Sequence, residues 1–214
     1  MTHASELPAG DFSAWLRAMR AALAGSAGIE VACGDCVGCC TSSLFIKVRA
    51  HEHVALRRIG PQNLEPAPRG KGDMLMGYDA HGHCLMFSNG GCSIYQDRPE
   101  TCRTYDCRVF AAAATRAGGD DQSVINRRVA SWRFSYPSDQ DRYEHRAVTA
   151  AANFLRQHPV RFPNGHVPSR PSEIAVLAVK TYTVFLQPPA TDAEIAAAMV
   201  DTAIAFDREA RQRG

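Results

Sequence analysis

Neither sign of charge is in excess: 24 Lys and Arg stand against 22 Asp and Glu in 214 residues, a formal net charge of +2. A protein that neutralises many phosphates carries a clear basic surplus, so nucleic acid is not expected as the main partner. Long apolar runs are missing as well. No stretch of about 18 apolar residues occurs, so no membrane-spanning helix is expected. Trp15, Arg17 and Arg20 also interrupt the place where a secretory signal would hold its apolar core. The expectation is therefore a cytoplasmic protein without a membrane partner. Lysine is scarce, three residues against 21 Arg, which reads with the abundant Ala as coding bias of a high-GC genome. The nucleophile elbow G-x-S-x-G, the Walker A loop, the Rossmann glycine fingerprint, H-E-x-x-H and the radical S-adenosylmethionine spacing C-x3-C-x2-C are all absent. What is present is ordinary globular usage, 45% apolar and 21% charged, which excludes wholesale disorder.

Cysteine is absent from residues 108–214, yet eight cysteines fall between Cys33 and Cys107. In a reducing compartment such density points to metal binding or thiol redox chemistry rather than to a disulfide framework. Cys33, Cys36 and Cys39 repeat as C-x2-C-x2-C, a spacing that lets a looping backbone turn three thiolates toward one centre. Cys40 follows directly, and adjacent side chains project in different directions. Two nearby centres, or one polynuclear cluster, seat Cys39 and Cys40 better than a single ion does. Cys84, Cys92, Cys102 and Cys107 bring the number of sulfurs to eight, enough for two four-thiolate sites. Such sites suit tetrahedral zinc or an iron–sulfur cluster. The spacing favours the cluster, and Lys47, Arg49, Arg98, Arg103 and Arg108 are available to offset its negative charge.

Along the chain, residues 11–25 read as an amphipathic helix with Phe12, Trp15, Leu16, Met19 and Leu23 on one face. SLFIKVRA reads as a strand and HEHVALRRIG as a short helix stopped by Gly60-Pro61. Residues 61–82 are rich in Pro and Gly and read as an irregular connection. Ser88-Asn89-Gly90-Gly91 is a tight-hairpin signal between Cys84 and Cys92. Asp97-Arg98-Pro99-Glu100 predicts a helix start with Asp97 as its cap. A regular helix from there would set Cys102 and Cys107 about 140° apart, so either it breaks or the two serve different sites. Residues 139–158 place Tyr143, Ala147, Ala151, Phe154 and Leu155 on one helical face. Pro171 opens a helix toward Leu186, and Thr191 with Glu194 signs a capping box for a last helix. The expected class is mainly α. A small irregular cysteine-rich α+β metal-binding module at 33–110 is flanked by an N-terminal segment, 1–32, packing on it, and by a helical region, 111–214.

The CGDCVGCC block and the later HGHCLMFSNGGCSIYQDRPETCRTYDC resemble the CxxCxxCC (YkgJ-like) family, whose members are described as zinc- or iron-chelating. The likeness covers about residues 33–110. It implies Cys33, Cys36, Cys39, Cys40, Cys84, Cys92, Cys102 and Cys107 as metal ligands, with either an iron–sulfur cluster or zinc as cofactor. Arg98, Pro99 and Arg103 also fall on the family pattern. Pro99 then fixes a helix start, and either Arg donates to sulfur or pairs with a carboxylate; the alternative is an anion or substrate bound by Arg103 or Arg108 beside the metal. Tyr95 is expected to pack over the cluster loop. His51, His53, His81 and His83 read as surface groups, His83 being the substitute should one cysteine not bind.

Three functions follow. The first is a metal-binding module in a structural or redox role, with the helical region offering a surface to a protein partner. A second is an iron–sulfur enzyme, since the family resemblance extends to bacterial flagellin lysine methylases, although no matching methylase region is present. The third is a metal-free thiol redox sensor.

Overall fold

The computed structural model describes residues 6–25, 28–68, 71–162 and 167–213. Among the described residues eight α-helices are joined by short sheets, an α+β arrangement about 54% helical. The chain divides into two units. The first takes Met1–Ala27, Asp106–Gly118 and Val129–Gly214, and the second takes Gly28–Tyr105 and Gly119–Arg128. This division differs from the expected one at both ends of the cysteine region. The N-terminal segment belongs with the C-terminal helices, residues 106–118 leave the module, and residues 119–128 join it.

In the first unit, helix α1 (Phe12–Leu23) buries Phe12, Trp15, Leu16 and Met19 as the sequence periodicity predicts. It lies on α6 (Asp139–Gln157) and α7 (Pro171–Thr181). A strand precedes it that periodicity did not announce: β1 (Leu7–Asp11) runs parallel to β7 (Trp132–Ser135), with Leu7 opposite Trp132 and Asp11 opposite Ser135. The α1 backbone lacks a cap of its own, and Asp141 supplies one from α6. Its Oδ1 accepts from Ser13 N at 2.9 Å, while Oδ2 accepts from Ser138 N at 2.9 Å, and Ser138 closes a reciprocal capping box. One carboxylate thereby serves two helix starts. On α6, Ala147, Ala151, Phe154 and Leu155 are buried as expected, whereas Tyr143 is exposed. The last helix, α8 (Asp192–Arg213), carries the predicted Thr191–Glu194 box in both directions.

The second unit is built on a small sheet in the order β2–β4–β3, all antiparallel. Ile46 of β2 (Ile46–Val48) faces Met76 of β4 (Met74–Met76), and β3 (Glu65–Pro66) covers the other edge. The connection 61–82 is thus less irregular than its Pro and Gly content suggests, because β4 pairs on both sides. Ile46, Val48, Ala55, Ile59, Met76 and Ile94 form the core, with α2 (His53–Ile59) supplying two of them. The hairpin β5–β6 (Phe87–Ser88, Gly91–Cys92) turns at Asn89 and Gly90, both at positive φ (49° and 77°), as a two-residue loop requires.

Candidate metal centre

The cysteine loop is held by backbone and by the returning segment 119–128. Cys36 N donates to Cys33 O at 3.0 Å, and Cys40 N donates to Val37 O at 2.8 Å, closing two successive turns. Arg128 donates to Cys33 O at 3.0 Å, and Gln122 donates to Ser42 O at 3.3 Å. Gly38 is buried, and a Cβ there would meet Ile125 and Val124 at 3.3 Å, so glycine lets the loop lie against this segment. Cys84 N donates to Cys40 O at 2.8 Å, which ties the loop to the hairpin region.

Cys102 arrives from another direction, on the four-residue helix α3 (Glu100–Arg103). Its expected cap, Asp97, is engaged elsewhere by Arg58 Nε at 2.9 Å. The helix begins at Glu100 instead, and Glu52 caps it: Oε1 accepts from Glu100 N at 2.6 Å and lies 3.6 Å from Arg103. Thr101 fixes the same helix to β2 by donating to Lys47 O at 2.6 Å. After Arg103 the helix ends and the chain passes at Asp106 into the first unit.

Three cysteines, Cys84, Cys92 and Cys102, pack against the apolar core of the second unit. Neighbouring sulfurs, Cys92 among them, act on the ionisation of Cys40, Cys84 and Cys102. A hydrogen bond from Cys40 to the Cys39 sulfur lowers Cys39 to about 7, helped by Arg98, and raises Cys40. Burial raises Cys84, with Cys92 and Cys39 adding to it. Burial also pushes Cys102 up to about 12, reinforced by Cys84, Cys39 and Cys92 and opposed by Arg98. Thiolate charges gathered this closely repel, and a cation among them would remove both the repulsion and the protons. Cys33 and Cys36, half-buried, lie on the turn leading into this group.

Cys107 is placed differently. It is buried in the first unit, where its sulfur accepts from Trp132 Nε1 at 3.2 Å. Its neighbour Asp106 accepts from Trp15 Nε1 at 2.7 Å and forms a forked pair with Arg108, at 3.0 Å from Nε and 2.8 Å from a terminal nitrogen. Arg108 is therefore part of a buried structural pair. Of the other cations expected to offset the sulfur charge, Lys47 lies 2.8 Å and Arg49 3.6 Å from Asp73. Arg98 is different. Its guanidinium stacks 3.5 Å from the Tyr95 ring centre, and its Nε is buried without a hydrogen-bond partner among the described residues. Tyr95 itself is exposed and serves as the platform for Arg98.

The histidines stay at or near the surface. His51, His53 and His81 are exposed, and Asp79 accepts from the backbone of His81 and His83 to shape their turn. Among the described residues no three His, Cys, Asp or Glu side chains stand at the spacing of a closed metal site. The donor set nonetheless fits a thiophilic metal in kind: Cys84, Cys92 and Cys102 pack against one core, and Cys84 N holds the Cys39–Cys40 loop through Cys40 O. A groove in the first unit, lined by Tyr136, Arg142, His145, Arg146 and Asn153, was not foreseen from sequence, because its residues carry no spacing signature. There Tyr136 Oη lies 2.7 Å from His145 Nδ1.

No described helix is long and apolar enough to cross a membrane. No curated protein and no solved structure matches the chain significantly. One family model does, over residues 32–126, under the description "Putative zinc- or iron-chelating domain". The match takes in residues 106–118 of the first unit and extends to 126, within the 119–128 segment that the cysteine spacing alone did not reach. Residues 32–126 thus match the model of the CxxCxxCC family.

Proposed function

We propose that the second unit holds a thiolate-ligated metal centre, and that its occupant is an iron–sulfur cluster. Cys39, Cys40, Cys84, Cys92 and Cys102 form the inner ligand pool, and Cys33 and Cys36 complete it from the preceding turn. The observation that carries this reading is that Cys84, Cys92 and Cys102 pack against one core while Cys84 N, donating to Cys40 O at 2.8 Å, ties the loop of Cys39 and Cys40 to them. A tetrahedral zinc takes four thiolates. Five adjoining sulfurs, two of them on consecutive residues, exceed one such ion and suit a polynuclear centre. We leave Cys107 outside this pool because it belongs to the first unit. Such a centre supplies a fixed scaffold for the cysteine loops and, as a cluster, one-electron chemistry. The chain's own part is to bring the loop, hairpin and α3 together.

The test is anaerobic purification followed by iron, zinc and acid-labile sulfide per chain, with a visible spectrum. Iron with matching sulfide and a broad band bleached by air is the expected result. Colourless stoichiometric zinc would replace the cluster with a structural zinc site. Protein that carries neither metal and takes up neither on reconstitution would end the metal reading.

A further inference from the structure

Helix α6 sets Arg142, His145, Arg146, Thr149 and Asn153 on one stripe, at steps of three and four residues. With Tyr136, which follows β7, they line a groove of about 490 Å³. That is within the size range of small-molecule sites, roughly 300–1,000 Å³. The groove lies wholly in the first unit, to which none of the proposed ligand cysteines belongs. Its two sides differ in kind. One is aromatic: Tyr136 Oη lies 2.7 Å from His145 Nδ1, and the two rings are within 14° of parallel. Phe12 stacks on His145 at 4.3 Å and 16° and is itself fully buried, so packing holds this flat platform in place. Burial pushes His145 down and Tyr136 up, which leaves both rings uncharged near neutral pH. The other side is cationic. Arg142 and Arg146, both exposed, stand four residues apart, where like charges on a helix repel. Arg146 makes no ion pair among the described residues, and its guanidinium rests 5.1 Å from the Tyr143 ring centre. Arg142 lies 5.7 Å from the Tyr136 ring centre, 3.5 Å from Ser138 O and 3.6 Å from Asp139, whose side chain is fully exposed. The Asn153 carbonyl accepts from Arg156, which leaves its amide NH2 as the group to offer.

We propose that this groove binds a phosphate monoester carried on a flat ring, Arg142 and Arg146 taking the phosphate and the Tyr136–His145 pair taking the ring. A phosphate monoester carries about 1.5 to 2 negative charges at pH 7 and three acceptor oxygens, enough to engage a guanidinium on each side. A carboxylate, with one charge, leaves one of the two arginines unmatched. The helix direction agrees with an anion here, because Arg142 stands near the start of α6, where the backbone dipole favours negative over positive charge. The platform gives the organic part of the ligand an apolar, stackable surface, and so separates a ring-bearing phosphate from the free ion. The site requires no metal and is independent of the reading of the second unit.

The experiment is equilibrium dialysis of phenyl phosphate, inorganic phosphate and benzoate against the full-length chain in phosphate-free buffer, repeated with Arg142→Gln, Arg146→Gln and Tyr136→Ala. Phenyl phosphate should bind about tenfold tighter than inorganic phosphate, the worth of one aromatic stack, and tighter than benzoate. Each arginine variant should weaken both phosphates about tenfold, since each removes a charged donor. Both arginines are exposed, so these variants keep the fold and their result reads binding alone. Tyr136→Ala should bring phenyl phosphate down to the level of inorganic phosphate while inorganic phosphate binds as in the wild type. No uptake of phenyl phosphate at about 1 mM would overturn the proposal. Unchanged binding in both arginine variants would overturn it equally. Benzoate held as tightly as phenyl phosphate would give the groove to a carboxylate instead, and inorganic phosphate held as tightly would remove the ring from the ligand; either result ends the assignment made here.

Discussion

Asp141 is the residue on which the first unit's helix starts depend. Ser138, and then Ser13, hold its carboxyl at about 2 against an ordinary 3.8 by donating to it. A carboxyl depressed in the folded chain contributes stability that is complete above its unfolded value and lost as the pH falls toward the folded one. The contribution of Asp141 should therefore be intact above about pH 4 and disappear toward pH 2. Trp15 and Trp132 both lie in this unit and report its unfolding by fluorescence. Asp141→Asn should lower the urea midpoint at pH 7 and flatten the decline between pH 4 and pH 2. An equally steep acid decline in the variant would show that other groups carry it. Ser138→Ala removes only the reciprocal half of the box and should cost about 1 kcal/mol, measured the same way.

Helix α3 shows at the scale of an element why a cap written in the sequence is not always used. Asp97 and Glu100 have the right spacing, but Arg58 takes the Asp97 carboxylate and Glu52 reaches Glu100 N from α2's entrance. Both competitors come from more than thirty residues away, beyond any local pattern. Glu52 is thus the latch of the element that carries Cys102, and its side chain is only 6% exposed. Glu52→Ala should loosen α3 by about 1–3 kcal/mol, the range for a lost hydrogen bond to a charged acceptor. It should also weaken metal retention against a chelator, whereas Glu52→Gln, which keeps one acceptor, should be milder. Unchanged chelator resistance in Glu52→Ala would separate α3 from the centre. The elements that local chemistry does determine were legible: the Asn89-Gly90 turn, the Thr191–Glu194 box and the α1 stripe each appear where the sequence puts them. The β1–β7 pair was not, since neither strand forms without the other. The eight cysteines stand out in the sequence, where the five-residue step left two readings, a broken helix or separate sites for Cys102 and Cys107; α3 ends at Arg103, and the two cysteines fall in different units.

At the scale of the whole molecule the chain passes between its two units at 27/28, 105/106, 118/119 and 128/129, so neither is a continuous segment. Their interiors differ in kind. The first unit buries long apolar faces, among them Phe12, Leu16, Val148, Leu155 and Val179, and is stabilised by ordinary packing. The second has six buried apolar residues in its core cluster, with three cysteines packed on it. A core that small leaves much of its stability to whatever joins the sulfurs, as metal binding and folding are one equilibrium in such modules. Removing the metal should therefore affect the two units unequally. In amide exchange followed by mass spectrometry, chelated protein should lose protection over 28–105 and 119–128 and keep it over 139–157 and 171–181. Tryptophan fluorescence should barely change, because both indoles belong to the unit that stays folded. Loss of protection in α6 and α7 together with the cysteine loops would instead mean one cooperative fold with the metal as its keystone. Full protection everywhere would mean that the six-residue core suffices and that the centre, when present, serves chemistry rather than architecture.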